Sequence, residues 1–203
     1  SLRWDRYMVG ICTDKSLTTP CGNKWMYATV NSFFVGLTST FIATSLGTLA
    51  ALGLSRPHMP YKGLIMSILI SPMIVPLIIT AAGMFFFYAR FNLVYTFTGI
   101  IMAHVALATP FVVITVTATL VGFDTNMTKA SQSLGAKPIR TFFKVIMPLI
   151  LPGVISGALF AFITSFDEVV IVMFMASLDQ LTIPKQMWAG IRQEISPVIL
   201  CMA

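Results

Sequence analysis

The chain is 203 residues long, 57% hydrophobic and only 10% charged, with a mean hydropathy of +0.87, which is too apolar for a protein that keeps a water-soluble surface. It reads as a membrane protein. The formal charge of +6 does not point to nucleic acid, because Arg56, Lys62, Lys129, Lys137, Arg140 and Lys144 fall in two short segments between apolar runs, a pattern that concerns membrane topology.

Residues 1–24 form a polar leader without the apolar region of a signal peptide. Cys12 and Cys21 lie in it, where a disulfide is chemically allowed and free thiols are an equal alternative. The three cysteines form no CxxC pair and accompany no histidine cluster, so no metal site is expected. Ser1 at the start and the apolar turn of "SPVILCMA" at the end suggest a piece of a longer chain whose flanking spans are missing.

A bilayer core takes about 20 apolar residues at 1.5 Å rise each. Four stretches meet that length, Trp25–Leu54, Leu64–Tyr88, Tyr95–Val121 and Leu149–Ala176, and a fifth starts near Pro197. An all-α bundle is therefore expected, with four full spans and the start of another. Ser39, Ala43, Gly47 and Ala51 recur every four residues in the first span, as do Gly153, Gly157, Ala161 and Ser165 in the last, a spacing that lets helix backbones approach closely in lipid. Pro72, Pro76 and Pro110 fall inside spans, as packing kinks or as parts of a moving gate. The connecting segments 55–63 and 122–148 hold six cations against the single acid Asp124, while 89–94 holds only Arg90. By the positive-inside rule the first two face the cytoplasm.

Segment 122–148 is long and patterned. Asp124 or Thr125 can cap a short helix that Gly135 ends, with Met127, Ala130, Ser131 and Leu134 on one face. Pro138 starts a second helix in which Ile139, Phe142, Phe143, Ile146 and Met147 share one face and Arg140, Thr141 and Lys144 the other, and Pro148 closes it. Physics alone leaves two uses open: lying in the headgroup layer of the membrane lipid, or inserting into a partner's groove.

The run "KASQSLGAKPIRTFFKVIMPLILPG" (129–153) resembles the E-A-A, then G, then I-x-L-P signature of the permease subunits of bacterial ABC importers. Ala130, Gly135, Ile146 and Pro148 stand on matching positions, whereas Lys129 replaces the usual Glu and Ser131 the usual Ala. "SPMIVPLIITAAGMFFFYARFNLVYT" (71–96) also looks like that family's early spans. "SFDEVVIVMFMA" (165–176) and "LTIPKQMWAGIRQEISP" (181–197) are similar to its polyamine branch (putrescine, spermidine) or to opine importers. The resemblance implies a polytopic transmembrane helical bundle of the type I ABC importer permease kind over 25–203, in a bacterial inner membrane. It implies a coupling loop in which Lys129, Ala130, Ser131, Leu134, Gly135, Ala136, Ile146 and Pro148 meet an ABC ATPase subunit. A second permease subunit and an extracytoplasmic solute-binding protein would complete the assembly. No cofactor, metal or catalytic site is implied for this chain, since ATP is bound by the partner.

Asp167 and Glu168 interrupt an apolar run, where acids are rare and face protein or a water-filled cavity. Extending the helix from Gly153 at about 100° per residue puts Glu168 on the small-residue stripe and Asp167 off it. Glu168 therefore either attracts a cationic solute along the pathway or is a structural carboxylate. His104 is a lone imidazole within a span, as a hydrogen-bonding group or a third path candidate. Gln186, Trp188 and Arg192 are candidates for touching the binding protein. An intramembrane aspartyl protease would need two carboxylates facing each other, which neighbours on one helix cannot provide. A secondary transporter or channel would leave the 122–148 segment without a purpose.

Overall fold

The computed structural model describes residues 24–193, except 57, 58 and 123. Leader residues 1–23 with Cys12 and Cys21, and the expected fifth span from Pro197, lie outside the described residues. All regular structure among the described residues is helical: α1 Lys24–Leu54, α2 Lys62–Ile74, α3 Leu77–Ala89, α4 Phe97–Val121, α5 Thr125–Ser133, α6 Pro138–Thr141, a π-helical turn Phe142–Ile146, α7 Met147–Phe166, α8 Val170–Met175, a 3-10 turn Leu178–Gln180 and α9 Ile183–Gln193. Among the described residues, three stretches are long and apolar enough to cross a membrane, Trp25–Leu54, Phe97–Val121 and Pro138–Phe166.

Three expectations need correction. The stretch Leu64–Tyr88 is two helices of 13 residues each, and α2 buries none of its side chains. Val75, held extended at ψ 136, precedes Pro76, whose ring disfavours helical backbone at the residue before it. Each half rises only about 20 Å, short of the roughly 30 Å of a hydrocarbon core, so α2 and α3 cross only if counted together, as a fourth span. Leu149–Ala176 also divides, because α7 stops at Phe166 and α8 begins at Val170.

The third correction concerns Pro148, which does not close a helix. Its ring would clash with the carbonyl four residues back, and it has no N–H to continue the ladder. The chain passes it by widening its turns: Met147 N–H donates to the carbonyl of Phe142, five residues back, and Pro138–Phe166 continues as one 29-residue stretch.

The described residues fall into two compact units, one built from 24–38, 77–104 and 166–193 and the other from 39–76 and 105–165. The second has a core of Ala43, Ala51, Ala108, Val112, Val116, Ile150, Val154 and Ala161. Glycine makes it possible: a Cβ at Gly47 would lie 2.7 Å from the Val112 Cβ, and one at Gly157 would lie 3.1 Å from the Val112 Cα. The threonines facing Gly153 and Gly157 keep their hydroxyls on their own helix, Thr115 donating to Phe111 O at 2.9 Å and Thr119 to Thr115 O at 3.0 Å, so these two donors are satisfied where the backbones approach.

In the first unit α3 packs against α8 and α8 against α9. Polar groups tie the segment after α8 to distant parts of the chain. Asn31 Nδ2 donates to the carbonyls of Asp179 and Leu181, each at 3.1 Å, and Ser32 Oγ accepts the N–H of Ile183 at 2.8 Å, satisfying a free donor at the start of α9. Gln180 Nε2 donates to Tyr95 O at 3.0 Å while its Oε1 accepts Ser177 N–H at 3.1 Å. Tyr95, in left-handed backbone at φ 62, donates its N–H to Met175 O at 2.9 Å.

Candidate functional site

The segment 122–148 folds as a hairpin. Asp124 is the N-cap of α5, its carboxylate accepting Asn126 N–H at 2.9 Å. Gly135 ends the helix in left-handed backbone, φ 79. Its N–H donates to Gln132 O at 2.9 Å and the Ala136 N–H to Ser131 O at 3.2 Å, the paired bonds of a Schellman turn, which glycine adopts without a Cβ penalty. Pro138 then opens α6, where its missing N–H costs nothing.

One side-chain bond closes the hairpin. Ser131 Oγ and Thr141 Oγ1 are 2.9 Å apart, and Thr141 is only 2% exposed. Arg140, Thr141 and Lys144 were expected together on the face opposite Ile139 and Phe143, and that face turns to the first arm, where Ser131 covers Thr141. Arg140 and Lys144 stay exposed.

Between α5 and the second arm runs an open groove of about 580 Å³, lined by Met127, Ala130, Ser131, Leu134, Gly135, Ala136, Arg140, Lys144 and Val145. Five of the eight coupling-loop candidates meet there: Ala130, Ser131, Leu134, Gly135 and Ala136. Lys129 is exposed on α5 outside the lining, Pro148 is exposed beyond the π turn, and Ile146 packs against the core of the second unit. Leu134, 88% exposed at the tip, has no core role. The sequence places Arg140 and Lys144 on the polar face of the second arm and leaves open whether that face meets headgroups or a partner. Their spacing of four residues, on the arm facing Met127 and Ala130, was the sequence signal that they share the groove.

The acids of the last span stand elsewhere. Because α7 ends at Phe166, the helical extrapolation that put Glu168 on the small-residue stripe does not hold. Glu168 is nevertheless 8% exposed, and its Oε1 accepts Ile171 N–H at 2.9 Å. It thereby satisfies a free donor in the first turn of α8 and sets a negative charge at that helix's positive end. At the other end Lys185 Nζ donates to the carbonyls of Val172 and Ala176, both at 3.1 Å, and burial holds its ammonium below the usual lysine range. A six-residue helix thus has a charge-assisted partner at each end. Asp167 is exposed, and His104 is 1% exposed within α4. Gln186 is half-buried and Trp188 exposed on α9.

Residues 43–203 match the family model of the binding-protein-dependent transport system inner membrane component. The spermidine/putrescine transport system permease protein PotC of Haemophilus influenzae is 28% identical over 176 residues, which cover 87% of this chain and 68% of that protein. PotC of Escherichia coli K12 is 28% identical over 178 residues, 88% of this chain and 67% of that protein. The putrescine transport system permease protein PotI of the same organism is 33% identical over 102 residues, half of this chain and 36% of that protein.

Proposed function

We propose, for a chain that belongs to the family of binding-protein-dependent transport system inner membrane components, that the α5–α6 hairpin is where it is driven by an ATPase subunit. The chain is a multi-pass permease of the inner membrane. The observation behind the coupling role is the hairpin itself: a Schellman turn at Gly135, a Ser131–Thr141 bond between its arms and an open groove whose apolar lining includes Met127, Ala130, Leu134 and Val145. A hairpin lying flat in the headgroups would turn Leu134 and its apolar neighbours into lipid and needs no groove. A groove with apolar lining suits an inserted partner surface.

In this reading the permease has no catalytic site, and ATP is bound and hydrolysed by the partner. A second permease subunit completes the pathway, and an extracytoplasmic binding protein delivers the solute, with α9 and its Trp188 as the surface it would meet. The carried solute is a small organic cation such as putrescine or spermidine. The names of the PotC and PotI relatives support this, as do Asp167 and Glu168, the acids closest to the apolar spans. His104, buried in the same unit, is the third candidate for the path. The bond from Glu168 to Ile171 favours a second, structural role for that carboxylate, and an opine or other amino-acid derivative is the alternative cargo.

The test uses Ala130→Asp in the assembled complex, with the ATPase and binding protein present. Protein should remain in the membrane while ATP-dependent uptake falls at least about tenfold and ATPase copurification drops, as expected when a charge enters an apolar contact. Normal uptake at matched protein levels would remove the hairpin from the coupling pathway.

A further inference from the structure

We infer that the surface seated on the α5–α6 groove is acidic, presenting a carboxylate to Arg140 and Lys144 while an apolar side chain occupies the floor. The inference rests on the reading that this hairpin docks onto an ATPase subunit, and adds the chemistry of the partner's face.

Residues 124–148 hold Lys129, Lys137, Arg140 and Lys144 against one acid, Asp124, and that acid caps α5 through Asn126 N–H. All four cations are exposed. Two of them, Arg140 and Lys144, line the groove next to Met127, Ala130, Leu134, Ala136 and Val145. The ligand face is therefore amphipathic in a defined sense, an apolar floor beside a cationic wall. A purely apolar occupant would bury the guanidinium and ammonium without partners, which costs far more than the apolar contact returns. A basic occupant would meet like charge at close range. A carboxylate answers both: Arg140 offers a planar fork that takes it bidentately, and Lys144 adds a second donor. Opposite charge also speeds the encounter of hairpin and partner, an effect that salt suppresses.

The experiment measures ATPase-subunit affinity for the full permease complex in neutral phosphatidylcholine nanodiscs, over a salt series from about 50 to about 500 mM NaCl. Wild type should weaken at least about tenfold across the series, and Arg140→Gln with Lys144→Gln should weaken binding about tenfold at low salt and flatten the salt dependence. Arg140→Lys with Lys144→Arg should stay within about threefold of wild type. Reversing an acid on the ATPase face to lysine should restore binding to Arg140→Glu with Lys144→Glu, a rescue that a misfolded hairpin would not give. Ala130→Trp, which fills the groove without changing its charge, separates the two ideas. If Ala130→Trp abolishes binding while the glutamine pair and salt have no effect, docking stands and the acidic partner is wrong. If none of these variants affects binding, the hairpin is not the docking surface and both readings fall. Should the glutamine pair leave ATPase affinity unchanged and instead release the hairpin from phosphatidylglycerol-containing nanodiscs, the occupant is a lipid headgroup and the inference is overturned.

Discussion

Replacement of Gly135 isolates coupling from folding, because the structure lets the stability cost be worked out beforehand. The residue sits at φ 79, and a Cβ built there would meet nothing within 4 Å. Gly135→Ala therefore costs only the left-handed backbone term, about 1–2 kcal/mol. Gly135→Asn, whose side chain tolerates that region, should cost less. Gly135→Asp adds an anion at the C-terminal end of α5, a further 0.3–1 kcal/mol at about this degree of exposure. Even the worst case, about 3 kcal/mol, is local to a surface turn held by two backbone bonds of 2.9 and 3.2 Å. All three variants should accumulate in the membrane. Uptake and ATP hydrolysis are then measured side by side in proteoliposomes with the complete assembly, normalised to permease content. The expected order of uptake is Asn above Ala above Asp, with Gly135→Asp losing at least about tenfold while hydrolysis continues uncoupled. Uptake by Gly135→Asp within twofold of wild type would refute the docking role. Disappearance of all three proteins from the membrane would show instead that the turn is a folding element and the energy reasoning is wrong.

Single cysteines at Lys62 and Lys144, in a background without the native ones, should resist an impermeant thiol reagent in intact cells, and labelling at either site reverses the orientation. Gly157→Ala should lower the melting temperature of the complex by the equivalent of about 1–3 kcal/mol, since the new Cβ would lie 2.5 Å from Thr115 Oγ1 and 3.1 Å from the Val112 backbone. Gly53→Ala, open on all sides within 4 Å, should be neutral or slightly stabilising, and equal losses at the two positions would refute the packing account. Glu168→Gln keeps an acceptor for Ile171 N–H but removes its charge, so a structural carboxylate predicts about 1 kcal/mol of lost stability with apparent uptake affinity unchanged. A solute-path carboxylate predicts weaker uptake affinity and a smaller effect from the exposed Asp167→Asn. Lys185→Met should destabilise by about 1–2 kcal/mol by removing the donor to the Ala176 carbonyl and the second donor to the Val172 carbonyl, which keeps the Ala176 N–H at 3.0 Å, and an unchanged melting temperature would show that these bonds do not form.

Local chemistry was the legible part. The Gly135 turn, the Asp124 cap and the Pro138 start each depend on a few adjacent residues, and the structure has them where residue type demands. The small-residue stripes were legible for a related reason. Gly153, Gly157, Ala161 and Ser165 are all buried, because a four-residue repeat of small side chains on an apolar helix has no use except close contact. The family resemblance lay in the same short run and agrees with the match over 43–203.

What failed were extrapolations of one period past a point where the backbone leaves it. Apolar length alone marks Leu64–Tyr88 and Leu149–Ala176 as spans, the first bent at its prolines, since composition cannot tell a kink from a break. Whether a proline or an acid pair ends a helix depends on what satisfies the freed donors and acceptors. Glu168 illustrates this: its sequence neighbours suggested a charge on a continuous helix face, and the fold uses it at 2.9 Å from Ile171 N–H to start a new helix. Thr141 is the converse, a residue the sequence places only on the polar face, which the fold turns toward Ser131 and buries. The sequence by itself determined membrane residence, helical class, family and the turn that shapes the hairpin, because each follows from composition or from residues within one turn of each other. Only the tertiary structure decided which of those helices are continuous, which polar groups are buried, and that Arg140 and Lys144 share a groove with Ala130 and Leu134, because these depend on hydrogen bonds and contacts between residues far apart in the chain or on backbone that departs from one helical period.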